Sequence, residues 1–462
     1  MTEAPTIQTV GELRASGHVQ KQLRAELRDN LLAKLRAGDD PWPGLHGFES
    51  TVIPQLERAL IAGHDIVLLG ERGQGKTRVL RTIGGLLDEW SPVIEGSELG
   101  EHPYEPITHA SRRRALELGD RLPVAWRHRS ERYVEKLATP DTSVADLIGD
   151  VDPMKVAEGR SLGDPETIHF GLIPRSHRGI VAINELPDLA ERIQVAMLNV
   201  MEERDIQVRG YVLRLPLDVL VVASANPEDY TNRGRIITPL KDRFGAEIRT
   251  HYPTRLEAEI AVIRQEADLV AEVPDHLVEI LARFTRNLRE SSSVDQRSGV
   301  SARFAIAGAE TIAAAALHRA TSQGEDEAVA RVVDLQTAVD VLGGKIEFEN
   351  GEEGREPEIL THLLRTATAD AVREHFRGID FGPLVAVIED GAMVVTGEQV
   401  TAQQLLDELP VLGESELYDD IFDALDADTA GEQAAAVELA LEGLYLARKV
   451  GKDTDGIETV YG

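Results

Sequence analysis

The segment Gly70-Glu71-Arg72-Gly73-Gln74-Gly75-Lys76-Thr77 sets two glycines around four residues and follows the second with a lysine and a threonine. That spacing suits a loop that wraps phosphate oxygens. Glycines let backbone N–H groups close in, Lys76 brings a point charge to the terminal phosphates, and the Thr77 hydroxyl can reach Mg²⁺. Gly70, Gly73, Gln74 and Gly75 form the expected cradle, with Lys76, Thr77 and Arg78 beside the nucleotide. Hydrolysis of a triphosphate further requires that the metal be held, a water polarised and the terminal phosphate sensed. Two apolar runs end in groups of that kind: Gly179 to Ile183 leads into Asn184-Glu185, and Asp218 to Ala223 leads into Ser224-Ala225-Asn226-Pro227. A carboxylate at a strand tip can activate water. Alone, such a carboxylate or amide more often caps a helix or a turn; it is the order of all three segments that points to a nucleotide site.

These residues need particular elements to hold them. His64 to Leu69 is a run of buried-strand length that stops at Gly70, so the loop falls between a strand and a helix. Continuous apolar runs of this type suit a parallel sheet covered on both faces. Between the second and third runs, Leu189, Ile193, Met197, Val200 and Met201 make one helical stripe, and Ile206 to Leu215 reads as a hairpin. The alternation predicts an α/β fold, a parallel sheet flanked by helices, over residues 40–253, after a helical segment at 1–39. Residues 254–345 carry four alanine- and leucine-rich helical patterns, Leu256 to Val270, Pro274 to Glu290, Ser301 to Thr321 and Ala328 to Leu342. Residues 346–358 read as a linker. An acidic, mostly helical region is expected at 359–450, with a hairpin at Leu384 to Val395 turning at Asp390-Gly391, and a disordered tail at 451–462.

With 70–77 as Walker A, Ile173 to Glu185 as Walker B, Val200-Met201-Glu202-Glu203-Arg204 before the hairpin, Ala223 to Pro227 as sensor 1, and Leu240-Lys241-Asp242-Arg243-Phe244, the chain resembles an AAA+ ATPase. The likeness is to the magnesium-chelatase ATPase-subunit and MoxR-like branch, over about residues 40–345. It implies a P-loop core with an α-helical lid, and ATP and Mg²⁺ as cofactors. Glu185 would activate the attacking water and Asn226 position it, while Thr77 and, through water, Asn184 would hold Mg²⁺. Arg243 would be a finger reaching a neighbouring subunit's nucleotide, and Arg303 in Ser301-Ala302-Arg303 would contact the γ-phosphate from the lid. A finger supplied in trans makes turnover depend on a neighbour. The resemblance therefore implies a homo-oligomer, a hexameric ring, working with a separate von Willebrand A-type protein against which the hairpin moves.

Two departures stand out. The usual Asp-Glu pair is Asn184-Glu185 here, an amide that accepts a hydrogen bond without carrying charge. Slower hydrolysis or weaker metal affinity is expected, and an inactive site stays open. Lys76 and Glu185 also lie about 110 residues apart, more than the core needs. The surplus at 89–139 carries Arg112-Arg113-Arg114, Arg121, Arg127, His128, Arg129 and Arg132 with Trp126 and Tyr133. A solvated helical insert, or a dock for a neighbour's acidic tail, is the expected form, with nucleic-acid contact as the alternative.

Composition narrows the rest. The 462 residues contain no cysteine, so disulfides, thiolate metal sites and a cysteine nucleophile are excluded. Net charge is −31, from 80 acidic and 49 basic side chains, which repels phosphate backbones; nucleic acid is not expected as a partner. From Arg355 onward there are 23 Asp and Glu against 7 Lys and Arg, a bias that fits either a solvated surface or an acidic docking face. No basic head with an apolar run opens the sequence and no stretch has the roughly 20 apolar residues of a membrane helix, so no membrane insertion and a cytoplasmic location are expected. The leading expectation is an AAA+ ATPase that couples ATP hydrolysis to remodelling or activating a partner protein. A magnesium-chelatase ATPase subunit, a sigma-54-type transcriptional activator and a non-hydrolysing nucleotide-dependent scaffold remain open. The activator reading lacks its Gly-Ala-Phe-Thr-Gly-Ala loop in this sequence.

Overall fold

The computed structural model describes residues 3–157, 167–203, 206–208, 211–213, 215–226, 234–295, 298–407, 416–455 and 458–462. The chain divides into two compact units, Met1–His251 and Tyr252–Gly462. Strands of the first unit are β1 (Ile66–Leu69), β2 (Trp90–Ile94), β3 (Val124–His128), β4 (Tyr133–Leu137), β5 (Gly149–Val151), β6 (Ile168–Phe170), β7 (Gly179–Asn184), β8 (Ile206–Val208), β9 (Tyr211–Leu213), β10 (Val219–Ala225) and β11 (Ala246–Arg249). Five of them form one sheet in the order β11-β1-β10-β7-β4, every neighbouring pair parallel. Strands β1, β7 and β10 are buried at every position. Their successive side chains feed two different cores: Ile66 and Leu68 join Leu27, Leu56 and Leu80 of three helices on one face, while Val67 and Leu69 join Ile193 and Met197 on the other. Continuous apolar strands are the consequence of that double cover.

The stretch at 89–139 is not the solvated helical insert that its composition suggested. Its last strand, β4, is the edge of the main sheet, and β2 pairs antiparallel with β3. Val10, Ile94, Leu122 and Val124 share a small core, and Trp126 Nε1 donates to the Ile7 carbonyl at 2.9 Å, so the N-terminal segment packs on this layer. One of the basic side chains turns inward, Arg132, which is buried against Glu26, while the partly exposed Arg114 donates to the Glu95 carbonyl.

The second unit has one apolar core, running from Ile263 through Leu364 to Tyr461, so the expected lid and the acidic region pack as a single body. The Ala430–Leu446 helix is buried all round from Ala434 to Leu444, including Glu438 and Glu442. An acid-rich sequence here thus hides two carboxylates, each with partners: Glu438 lies 3.5 Å from Arg331, and Glu442 accepts from Lys452 and from the Tyr461 hydroxyl at 2.6 Å.

Four local expectations change. The hairpin at Leu384 to Val395 is instead a helix, Gly382–Glu389, started by Pro383 and burying Leu384 and Ile388 one turn apart, followed by β12 (Val394–Gly397). The tail at 451–462 is not disordered where described: β13 (Lys452–Asp455) and β14 (Glu458–Tyr461) complete an antiparallel sheet in the order β12-β14-β13. The linker is pinned, because the Glu349 N–H donates to the Ser293 carbonyl and the Asp295 N–H to the Glu347 carbonyl, both at 2.9 Å. The helix expected from Ala328 begins only at Leu335, after Asp334 accepts from the backbone of Arg331 and from the Arg319 guanidinium. No helix among the described residues is long and apolar enough to cross a membrane.

Candidate functional site

Strand β1 delivers the chain to Gly70, where a Cβ would collide with Thr250 Oγ1 and Gln74 Oε1. Gly73 and Gly75 have φ of +73° and +72°, a left-handed conformation that costs glycine little. The Lys76–Ile83 helix starts at once, with no acidic residue in its first turn and no side-chain cap from Gly75. A helix start with no acidic side chain of its own in the first turn suits an anionic ligand.

Within the loop the expected residues divide. Gln74 turns its side-chain oxygen into the fold: Oε1 accepts from the Glu71 N–H and from Thr250 Oγ1, both at 3.0 Å. Lys76 Nζ lies over the loop, donating to the Gly70 carbonyl and to the Glu71 carbonyl at 2.8 Å. Arg78 is exposed and donates to the Gly44 carbonyl at 3.2 Å, which tethers the helix to the preceding turn.

The neighbouring strand tips supply the other groups. The Gly70 N–H donates to the Ala225 carbonyl at 3.2 Å, which sets Asn226, 5 % exposed, beside the loop at the end of β10. Next over, β7 ends in Asn184 and the chain swings through Glu185 with φ of +54°, an uncommon conformation for a non-glycine residue. Three hydrogen bonds hold that bend: the Glu185 N–H donates to Ser224 Oγ at 3.2 Å, Ser224 Oγ donates to Asn184 Oδ1 at 3.1 Å, and Asn184 Nδ2 donates to Glu135 Oε1 at 2.6 Å. Glu135, on β4, also receives Arg81 Nε and Nη2 at 2.7 and 3.0 Å. The carboxylate beside it holds the Arg81 guanidinium above its ordinary pKa.

Lys76, Asn184, Glu185 and Asn226 thus stand at adjoining carboxyl ends of parallel strands, where ligands bind in open α/β sheets. Among the described residues no group of three His, Asp or Glu side chains could hold a metal ion, so a cation here would depend on phosphate oxygens together with Thr77 and its neighbours. Asn184 suits the expected metal role poorly: both ends of its amide are engaged.

Two further expected residues are Arg243 and Arg303. Arg243 pairs with Glu202, Nε to Oε2 at 3.1 Å, on the surface of the first unit. Arg303 belongs to the second unit, exposed in the first turn of the Ala302–Gln323 helix behind the Ser301 cap. Arg204 and Pro227 lie outside the described residues. Glu135 and Arg81 match no motif in the sequence; the adjacent charges Glu135 and Lys136 inside Tyr133 to Leu137 were the signal there.

The family described as the sigma-54 interaction domain matches residues 159–243. The magnesium-chelatase subunit ChlI of Guillardia theta is 28% identical over 209 residues, 44% of this chain and 55% of that protein. The magnesium-chelatase 38 kDa subunit of Acidiphilium rubrum is 25% identical over 314 residues, 67% of this chain and 76% of that protein. These matches support an AAA+ domain of the chelatase-like branch. A solved structure of the complex between subunits BchI and BchD of magnesium chelatase is 19% identical, covering 69% of this chain and 98% of that one, at a TM-score of 0.36. The AAA+ chain spans a little over half the length of the first relatives it matches, 55%, 58% and 52%.

Proposed function

We propose that this chain binds ATP with Mg²⁺ between the Gly70–Thr77 loop and the tips of β7 and β10, and hydrolyses it in a homo-oligomeric ring to remodel a partner protein. The observation that supports this most is the hydrogen-bonded row from Glu185 through Ser224 to Asn184. It fixes the backbone of Glu185 at the tip of β7, in the same sheet as β1, whose loop leads into a helix with no acidic residue in its first turn. Backbone N–H groups of the loop would orient the phosphates, and Lys76 would exchange the carbonyls of Gly70 and Glu71 for the terminal phosphate oxygens. Bound Mg²⁺ would neutralise charge on those oxygens. The Glu185 carboxylate would take the proton of the attacking water, which the Asn226 amide orients.

Arg243 would serve as a finger only after leaving Glu202, an exposed pair that is weak, so a neighbour's nucleotide can compete for it. Arg303 would contact the γ-phosphate from the second unit. The von Willebrand A-type partner, the hexameric ring and the moving hairpin of β8 and β9 rest on the family resemblance. The names of the relatives favour a second reading, the ATPase subunit of a magnesium chelatase.

Steady-state ATP hydrolysis across protein concentration tests the proposal. Wild-type turnover per chain should rise with concentration, and Glu185→Gln should lower it by at least about a hundredfold while ATP still binds. A wild type that binds ATP yet stays silent at every concentration of protein and Mg²⁺ would leave a nucleotide-dependent scaffold as the better description.

A further inference from the structure

The carboxylate missing from residue 184 is present one strand away. Glu135 sits on β4 with its Oε1 2.6 Å from Asn184 Nδ2. The amide cannot be turned round. The Glu135 carboxylate can only accept, so Nδ2 must face it; Oδ1 then accepts the hydrogen of Ser224 Oγ, which itself accepts from the Glu185 N–H. An aspartate at 184 would set two carboxylates at hydrogen-bond distance, and such a pair does not ionise fully without a proton or a cation between them. The amide at 184 and the acid at 135 therefore complement each other. A single negative charge stands here, and it stands on β4.

Glu135 is also joined to the phosphate-loop helix. Arg81, its other partner, lies one helical turn beyond Thr77, on the same helix face. The Arg81 side chain is 63% exposed and that of Glu135 23%. An ion pair so open to water is weak, and a divalent cation can compete for the carboxylate.

We infer that Glu135 supplies the negative charge that residue 184 lacks, acting on the water shell of nucleotide-bound Mg²⁺ from the adjoining strand. The inference rests on the nucleotide-binding reading above. Its test is calorimetric titration of the full chain with ADP over a series of Mg²⁺ concentrations. Glu135→Gln keeps an acceptor for the Asn184 amide and removes the charge. It should raise the Mg²⁺ concentration for half-maximal effect about tenfold, the usual size of such a loss around a metal, with metal-free ADP affinity within about twofold. Returning the charge to its usual strand, in Glu135→Gln with Asn184→Asp, should restore the Mg²⁺ dependence. Arg81→Gln, which leaves Glu135 in place, should lower the Mg²⁺ requirement. A folded Glu135→Gln protein with unchanged Mg²⁺ dependence would overturn the inference alone and make Glu135 a structural partner of Arg81. Wild type that binds no nucleotide at all would overturn both this and the functional reading.

Discussion

At the amino-terminal end of the central sheet Arg132 and Glu26 make a bidentate pair, 2.7 and 2.8 Å, with side chains only 2% and 3% exposed; at the carboxyl-terminal end Arg81 and Glu135 make the same kind of pair with the guanidinium mostly in water. Strand β4 connects the two, since Arg132 precedes its first residue and Glu135 lies within it. Further internal hydrogen bonds surround the buried pair: the Arg178 carbonyl accepts from Arg132 at 2.9 Å, the Asp88 N–H donates to Glu26 at 2.8 Å, and Arg24 bridges Asp65 and the Val219 carbonyl. Burial there drives the His177 imidazole down to about 3 and that of His102 to about 2, so both are neutral. At the other end a backbone bend, a buried amide and a partly exposed carboxylate are joined by hydrogen bonds to one another and to an exposed guanidinium. One end holds its ion pair away from water, and the other leaves its guanidinium open to it.

Four measurements would break or sharpen that contrast. The largest effect is expected at the ligand end, where Glu185→Gln should cut ATP turnover about 10²- to 10⁴-fold, the range for losing a general base, with the urea midpoint unchanged. A midpoint that falls with it would mean that this end too is structural. At the opposite end, Glu26→Gln should leave the Arg132 charge buried without its partner and cost about 3–5 kcal/mol of stability, measured by urea unfolding; normal nucleotide affinity in the folded fraction is expected.

Acidification comes third. His177 and His102 have folded pKa values depressed below the unfolded one, so the stability they contribute is complete above about pH 6.5 and is lost as pH falls toward about 3 and about 2. Each should cost about 1.4 kcal/mol per pH unit below pH 6.5, and His177→Gln should flatten the fall in unfolding free energy between pH 6.5 and 5. An unaltered slope would place that pH dependence elsewhere. The smallest effect belongs to Arg81→Gln, which should change stability by no more than about 1 kcal/mol because its pair is exposed. A loss as large as that of Glu26→Gln would erase the difference between the two ends.

Much of the site was readable without coordinates. Glycines at 70, 73 and 75, an apolar run before them and a lysine after them are requirements of a short stretch of backbone, and they can be recognised wherever they occur. The tips of β7 and β10 were readable for the same reason, since continuous apolar runs mark strands covered on both sides. The Leu384 to Val395 stretch misled because a short apolar run with Asp390-Gly391 at its centre satisfies a hairpin and a helix end alike; the pairing of β12 with a strand more than sixty residues later settled it. Ser301-Ala302-Arg303 was legible as a helix start, and Ser301 does accept from the Arg303 N–H at 3.1 Å, yet what that arginine touches is not written in three residues.

The sequence by itself determined the glycine loop between strand and helix, the buried parallel strands and the polar residues Lys76, Glu185 and Asn226 that follow them, because each depends on φ preference, apolar run length or side-chain type within a few neighbours. Only the tertiary structure decided that β4 lies beside β7, that Asn184 therefore meets Glu135, that Gln74 faces inward to Thr250, and that β14 is sheltered by an acid-rich helix. Those facts depend on strand order and on contacts between residues tens to hundreds of positions apart. No local preference encodes such a contact, because it forms only when the whole sheet and its two covering layers close together.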